Sequence, residues 1–526
     1  MVDCTKSQVP CPREPDLRGL ARHEADAVGA YRKILKSSAL IGASSLFNIL
    51  FGIVRTKAMA LMLGPSAFGL MGAYSSIVDL SRTLAQMGVN ASGVRQIAQS
   101  VATGDDARTA ATSLTLKRVA FGTASLGALA LLASSKVVSD FTFGSADQWG
   151  NIALLSLAVF FGVLAGGQTA LIQGMRRISD LSQLAMIGTF LGTVASITIV
   201  YFLRESGLAI SLVAGAAIAA GAGWFYSRRI KLQRVSTSFL ASTTEAAALF
   251  KLGTAFLAGD LLIQGATYLA RIIVLRDSGL AAAGFYQAAW TLGGLYVGFV
   301  LQSLATDFYP RLVGCIEDKD AANLQVNQQA AVSILLAGPG VLATLSLAPI
   351  VVHLLYSAKF DGSIEPLRWV CFGMALRVIT WPIGFIVVAS GRQAIFFATE
   401  LAWTCVNVAL TWFFVARMGP AGAGFAFFVS YIFHAAMLFP LARYLTGFRW
   451  DRLNFRLSAA YVASCSITVG ASYLLPSGIA TVIGLVVCAL MTLQSAIQLT
   501  SMSSRSPLPK SVLKLIRYGR SMRRPV

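Results

Sequence analysis

The feature that most constrains this chain is a succession of about fourteen apolar stretches, each roughly 19 to 26 residues long, joined by mostly short polar connections. A hydrocarbon core of about 30 Å is crossed by about 20 residues of helix, so each stretch has the length of one membrane passage. Inside lipid a backbone must satisfy its own N–H and C=O groups, and stretches of this length do so as helices. The expected fold is therefore an all-α polytopic membrane protein of about 14 transmembrane helices. Composition agrees: 56% of the 526 residues are hydrophobic and only 13% charged, where soluble proteins carry roughly a quarter. The pattern predicts helices over 39–60, 68–89, 110–132, 152–172, 181–203, 208–226, 252–275, 281–305, 330–355, 367–390, 394–416, 421–444, 457–475 and 479–499.

The net charge of +20 is unevenly spread. An even number of passages puts both termini on one side. Taking that side as cytoplasmic gathers Arg32, Lys33, Lys36, Arg95, Arg108, Lys117, Arg118, Arg176, Arg177, Arg228, Arg229, Arg449, Arg452 and the C-terminal basic cluster there. Membrane topology thus accounts for the excess, and no nucleic-acid partner is expected. The stretch Ser511–Arg524 mixes Val512, Leu513, Leu515 and Ile516 with Lys514, Arg517 and Arg520, which reads as an interfacial helix on anionic lipid. The N-terminus shows no cleavable signal peptide, and the first span is expected to act as the signal anchor.

Chemistry has little to work with. The seven Cys lack metal spacing, and His23, His353 and His434 are scattered. There is no Walker A run and no H-E-x-x-H. Neither an enzyme nor a cofactor or metal site is expected.

A repeat organises the chain. Leu63–Gly69, Ser278–Gly284 and Met418–Gly424 each follow a span and each place two Gly five apart. Tight hairpins explain each alone, while their recurrence favours a duplicated six-helix unit. The expected domains are a cytoplasmic tail (1–36), an N-terminal six-helix bundle (37–226), a cytoplasmic linker (227–251), a C-terminal six-helix bundle (252–444), two additional transmembrane helices (445–500) and a basic cytoplasmic tail (501–526). Asp307–Gln329 reads as a second long connection. Gly162 with Gly166, Gly188 with Gly192 and Gly294 with Gly298 have helix-packing spacing, and Pro339, Pro349, Pro382 and Pro440 interrupt spans.

A charge at mid-membrane costs about 2.5–3.5 kcal/mol on insertion scales, so charges that persist there point to function. The basic ones are Arg55, Lys57, Arg82, Arg271, Arg276 and Arg377, against Asp79, Asp260 and Glu400. Asp79 and Arg82 stand three apart, where mutual neutralisation competes with a substrate role. Arg276, Arg55 and Lys57 have the alternative of snorkelling. Arg55, Arg82, Arg271, Lys57 and Arg377 are the candidates for binding an anionic substrate. Asp260, Glu400 and Asp79 are the candidates for ion coupling, with Glu400 alternatively the counter-ion of Arg377.

The run Ile49–Arg55, followed by Leu61–Gly69 and Leu84–Val89, resembles the opening of O-antigen and other polysaccharide-unit flippases, members of the multidrug/oligosaccharidyl-lipid/polysaccharide exporter superfamily. Arg176-Arg177 and the Gly419–Gly424 turn fit as well. The resemblance implies two six-helix bundles arranged as a V around a cavity that opens alternately to each face of a bacterial inner membrane. It implies a lipid-linked oligosaccharide as substrate, membrane lipids as surroundings, and a polysaccharide polymerase and chain-length regulator as partners. In the lipid II flippases of that superfamily, basic residues of spans one, two and eight matter; Arg55 and Arg82 fall at the first two. The eighth-span position lies near Trp290, which is not basic, and Arg271 of span seven is the substitute. The rival readings are a drug or cation antiporter, which would prefer cavity carboxylates, and a membrane-embedded polymerase or ligase, which would need a large outer loop.

Overall fold

The computed structural model describes residues 17–230, 232 and 239–505. The Ser511–Arg524 stretch, residues 1–16 of the N-terminal tail and most of 231–238 in the linker lie outside the described residues. Those described are all-α, with no strand among them. In chain order the helices are α1 (Leu17–Gln86), α2 (Val89–Ala102), α3 (Asp106–Phe143), α4 (Trp149–Gly174), α5 (Ile178–Leu203), α6 (Gly207–Arg228) and α7 (Phe239–Cys315). They continue as α8 (Lys319–Ser346), α9 (Ala348–Leu355), α10 (Ile364–Ala389), α11 (Gln393–Met418), α12 (Pro420–Thr446), α13 (Arg452–Leu474) and α14 (Ser477–Arg505).

Among the described residues, eleven helical segments are long and apolar enough to cross a membrane. Three of them, Gly42–Gln86, Ile178–Arg228 and Leu257–Ala305, run for 45, 51 and 49 residues. Each is long enough for two passages.

The backbone shows where such passages divide. Within α1, Gly64 takes φ 76° and ψ −177°; within α7, Gly279 takes φ 85° and ψ 177°. Gly419, ahead of α12, has φ 58° and ψ −141°. These left-handed positions suit a residue without Cβ, and Pro65 and Pro420 follow where a new helix begins, a position that needs no N–H donor. A fourth reversal has the same backbone without glycine: Arg204, between α5 and α6, sits at φ 51° and ψ −131°. Its guanidinium donates to the Met62 carbonyl at 3.4 Å. A Cβ on Gly419 would lie 3.9 Å from Ser278 Oγ. The reversals therefore pair up at one end of the molecule.

α1 and α7 pack against each other more extensively than any other two helices. Their closest approach at the reversal end is reciprocal. A Cβ on Gly69 would fall 2.2 Å from the Leu280 carbonyl oxygen, and one on Gly284 would fall 2.0 Å from that of Pro65. At the opposite end, a Cβ on Gly88 would meet the Gly253 carbonyl at 2.0 Å, and one on Gly253 would meet that of Met87 at 2.4 Å. Two helices can touch backbone to backbone only where side chains are missing. Gly69 follows Gly64 by five residues, as Gly284 follows Gly279, so the second glycine of each motif is a packing device, not a turn device.

Other expectations shift. Gly162 and Gly166 make room for the side chains of Arg82, Gln86 and Asn90, while Gly188 and Gly192 face open space. α2 was not expected; it is amphipathic, burying Val89, Ser92, Gly93, Ile97 and Ser100 against α3 and α4. Asp307–Gln329 is not a long connection: α7 runs to Cys315, and α8 starts where the Asp318 carboxylate accepts from the N–H groups of Asp320 and Ala321, both at 3.1 Å. Pro349 opens α9, whereas Pro339, Pro382 and Pro440 lie inside α8, α10 and α12.

α8 and α10 are largely enclosed by protein, whereas the other spans leave most of their surface outward. α13 and α14 lean on α8. An asparagine clasp holds them there. Asn327 Nδ2 donates to the Arg449 carbonyl at 2.9 Å, its Oδ1 accepts from the Asp451 N–H at 3.0 Å, and Asn454 Nδ2 donates to the Asn327 carbonyl at 2.8 Å.

Replacing Gly69 with Val forces a side chain into the Leu280 carbonyl. Overpacking of this kind costs about 1–3 kcal/mol. Thermal unfolding of the detergent-purified protein should show a lowered midpoint for Gly69→Val and an unchanged one for Gly188→Ala, which meets nothing within 4 Å.

Candidate functional site

After the Gly64 break, α1 carries Ser76, Asp79 and Arg82 at intervals of three, along one face. α7 crosses this face and brings Arg271 onto it. Arg271 Nη1 donates to the Gly72 carbonyl at 3.2 Å and to Ser76 Oγ. Asp79 interacts electrostatically with both Arg82 and Arg271 without closing to an ion pair with either. Arg271 Nε has no hydrogen-bond partner. Through Asp79 the structure thus relates Arg271, in the seam between the two halves, to Arg82, which turns into the first half. Asp79 serves two guanidinium groups rather than Arg82 alone.

Arg82 faces a cavity inside the first half, walled by Gln86, Asn90, Gly162, Gly166 and Gln173. A Cβ on Gly162 would approach Arg82 Cδ to 3.1 Å, so the glycine gives the arginine its room. Arg55 is half-buried on the first span, with no hydrogen bond or ion pair among the described residues; Lys57 is exposed. Arg55 is not brought to Arg82 and Arg271 in one chamber, as neither lies in a wall it shares. Arg276 is used otherwise: its Nη2 donates to the Phe141 carbonyl at 2.8 Å and also to that of Asp140, capping the C-terminus of α3. Tyr268, two turns earlier, shares a hydrogen bond of 2.8 Å with Thr142.

A second constellation sits inside the other half. Arg377 of α10 and Glu400 of α11 line a cavity of about 280 Å³ and interact electrostatically. His434 and Tyr431 of α12 are also within the field of Arg377. Trp403 packs edge-on to Tyr431, with ring centroids 5.5 Å apart, and Trp290 edge-on to Phe427 at 5.0 Å. The expectation joined Arg377 to Glu400 and omitted Trp403, Tyr431 and His434. Their spacing was a usable signal: Glu400, Trp403 and Asn407 recur at helical period, as do Phe427, Tyr431 and His434. Asp260 is exposed on α7 and joins neither group. No trio of His, Cys, Asp or Glu among the described residues is placed to hold a metal ion.

The two groups adjoin. Ala270 and Tyr286 line the second-half cavity, Ala270 directly precedes Arg271, and Tyr286 interacts electrostatically with it. What the arrangement offers is a cationic seam, incompletely neutralised, opening beside an aromatic chamber.

Asp79→Asn removes the acid shared by two cations. Leaving charges unpaired in a partly enclosed site is destabilising, and the expected loss, discounted for water access, is about 1–3 kcal/mol. It should appear as a lower unfolding midpoint, reversed by adding Arg82→Gln to the same protein.

Residues 58–365 match the family described as polysaccharide biosynthesis protein. The chain is 22% identical over 411 residues to the lipid III flippase of Escherichia coli (strain K12), a match covering 77% of this chain and 97% of that one. The lipid III flippase of Shigella flexneri matches equally. Among solved structures, the lipid II flippase MurJ in an inward closed conformation is similar with a TM-score of 0.64 at 14% identity, covering 88% of this chain and 100% of that one. An inward-facing multidrug resistance MATE family transporter of the MOP superfamily is similar with a TM-score of 0.60 at 15% identity, covering 79% and 95%. All four are named as flippases or transporters, which sets this chain among carriers and not enzymes. With the fold of the MOP superfamily and more than half its length matched, the chain belongs to the polysaccharide biosynthesis protein family.

Proposed function

We propose that this protein is a flippase that carries a lipid-linked oligosaccharide across the membrane. In the finer form of the proposal, the cargo is a polyprenyl-pyrophosphate-linked repeat unit of O-antigen or exopolysaccharide, moved from the cytoplasmic to the outer face of a bacterial inner membrane. The observation that carries it is Arg271 sunk in the seam between the halves, with Arg82 nearby and Asp79 as their shared acid. A pyrophosphate head cannot enter hydrocarbon unaided, whereas guanidinium groups supply charge-assisted hydrogen bonds to its oxygens. The polyprenyl tail needs no carrier and stays in lipid. The likeness to lipid III flippases supports the same class of cargo.

The packing supports alternating access. The halves meet through glycine at both ends, and such contacts part without drawing a charged side chain through lipid. We place both termini on the cytoplasmic side, which puts the Gly64, Arg204, Gly279 and Gly419 reversals outside. Residues 37–226 and 252–444 are the moving bundles, with 445–500 attached to the second. Arg82 and Arg271 hold the anionic head, Arg55 and Lys57 guide it in, and Arg377 meets the group that follows the head. Asp79, Asp260 and Glu400 couple the movement to ions. A polymerase and a chain-length regulator receive the product.

A cation antiporter fits less well. A cationic drug in the seam would face Arg82 and Arg271 against Asp79 alone, a repulsive site.

The test is export. Arg271→Ala and Arg55→Ala should each lower surface glycan display at least tenfold while the membrane-inserted amount stays at the unmodified level. Normal display in both variants would overturn the proposal.

A further inference from the structure

We infer that the cavity in the second half is a binding site for sugar, and that it takes the sugar nearest the anionic linkage of the cargo. This rests on the flippase reading and adds to it the site that recognises the glycan.

The argument begins with charge. Arg377 and Glu400 face the same space and offset each other, so the chamber selects neither cations nor anions. Its walls are rings: Trp290, Trp381, Trp403 and Tyr431 all line it. Flat aromatic faces bury the C–H faces of a pyranose, and a carboxylate with a guanidinium binds the ring hydroxyls, one accepting and the other donating. Buried polar groups ordinarily have partners, yet Trp403 Nε1 and His434 Nδ1 have none. A ligand rich in hydroxyls supplies both an acceptor and a donor. An apolar drug supplies neither, and a bare metal cation would meet Arg377.

Position then selects which sugar. Tyr286 and Ala270 form the wall toward Arg271, so a ligand anchored by its phosphates at Arg271 reaches the chamber with the first uncharged group beyond them. The volume of about 280 Å³ lies at the small end of ligand pockets, which admits a short stretch of sugar and not a long oligosaccharide.

Binding to the full-length protein in nanodiscs separates the two ideas. The probes are undecaprenyl pyrophosphate and the same lipid bearing one glucose, galactose or N-acetylglucosamine. At least one sugar-bearing lipid should bind tenfold or more tighter than the bare one. Trp403→Leu should bring that ratio to about one, and Trp403→Phe should restore most of it. If the bare lipid binds and no sugar improves on it, the sugar site is wrong and the flippase reading stands. If none of the four lipids binds, both fail. Displacement of the sugar-bearing lipid from the intact protein by ethidium but not by the matching free sugar would assign the chamber to aromatic cations and overturn the inference. So would a Trp403→Leu protein that keeps the full ratio.

Discussion

Hydrocarbon offers no partner to a peptide group or a charge, and nearly every feature of this molecule answers to that constraint. Helices long enough to cross satisfy the backbone. The reversals are kept to one residue of left-handed conformation, which leaves few peptide groups unpaired at each turn. Arg271 reaches a carbonyl and a hydroxyl of the facing helix, and Arg276 uses the carbonyls that end α3. Most charges in the spans are thus held by protein in the seam or an interior chamber, or else lie exposed like Lys57 and Asp260, and Arg55 is half-buried without a polar partner among the described residues.

Much of this architecture is legible in the sequence because the membrane reads length and hydropathy, which are properties of a local stretch. The glycine pairs marked three reversals, and the first glycine of each has the left-handed backbone expected. The fourth falls in the gap expected between 203 and 208 but carries no glycine mark, because Arg204 takes the same conformation without the residue type that announces it. α2 escaped for a related reason: its small, half-polar face lacks the apolar density of a span, although its buried positions recur at helical period. The 307–329 segment reads as a loop because its residues are polar. Helices that extend past the bilayer are polar too.

The site was legible in its charges and not in its assembly. Residue types alone identified Arg82, Arg271, Arg377 and Glu400 as expensive in lipid, and the last two face one cavity and feel each other's charge without closing to an ion pair. That Asp79 would answer to a residue nearly two hundred positions away depends on how α1 crosses α7, which in turn depends on Gly69 and Gly284 having no side chains. The aromatic chamber requires four helices, α7, α10, α11 and α12, to be set side by side. No single stretch of sequence contains it.

The asparagine clasp gives the molecule an uneven stiffness. By fastening the loop after α12 and the start of α13 to the first turns of α8, it splints α13, with α14 packed beside it, to the enclosed core of the second half. Among the described residues the first half has no such buttress. Arg271 sits with the appended helices on the splinted side of the seam and Arg82 on the other, so in the rocking proposed above the two guanidinium groups part and an anion held between them is released.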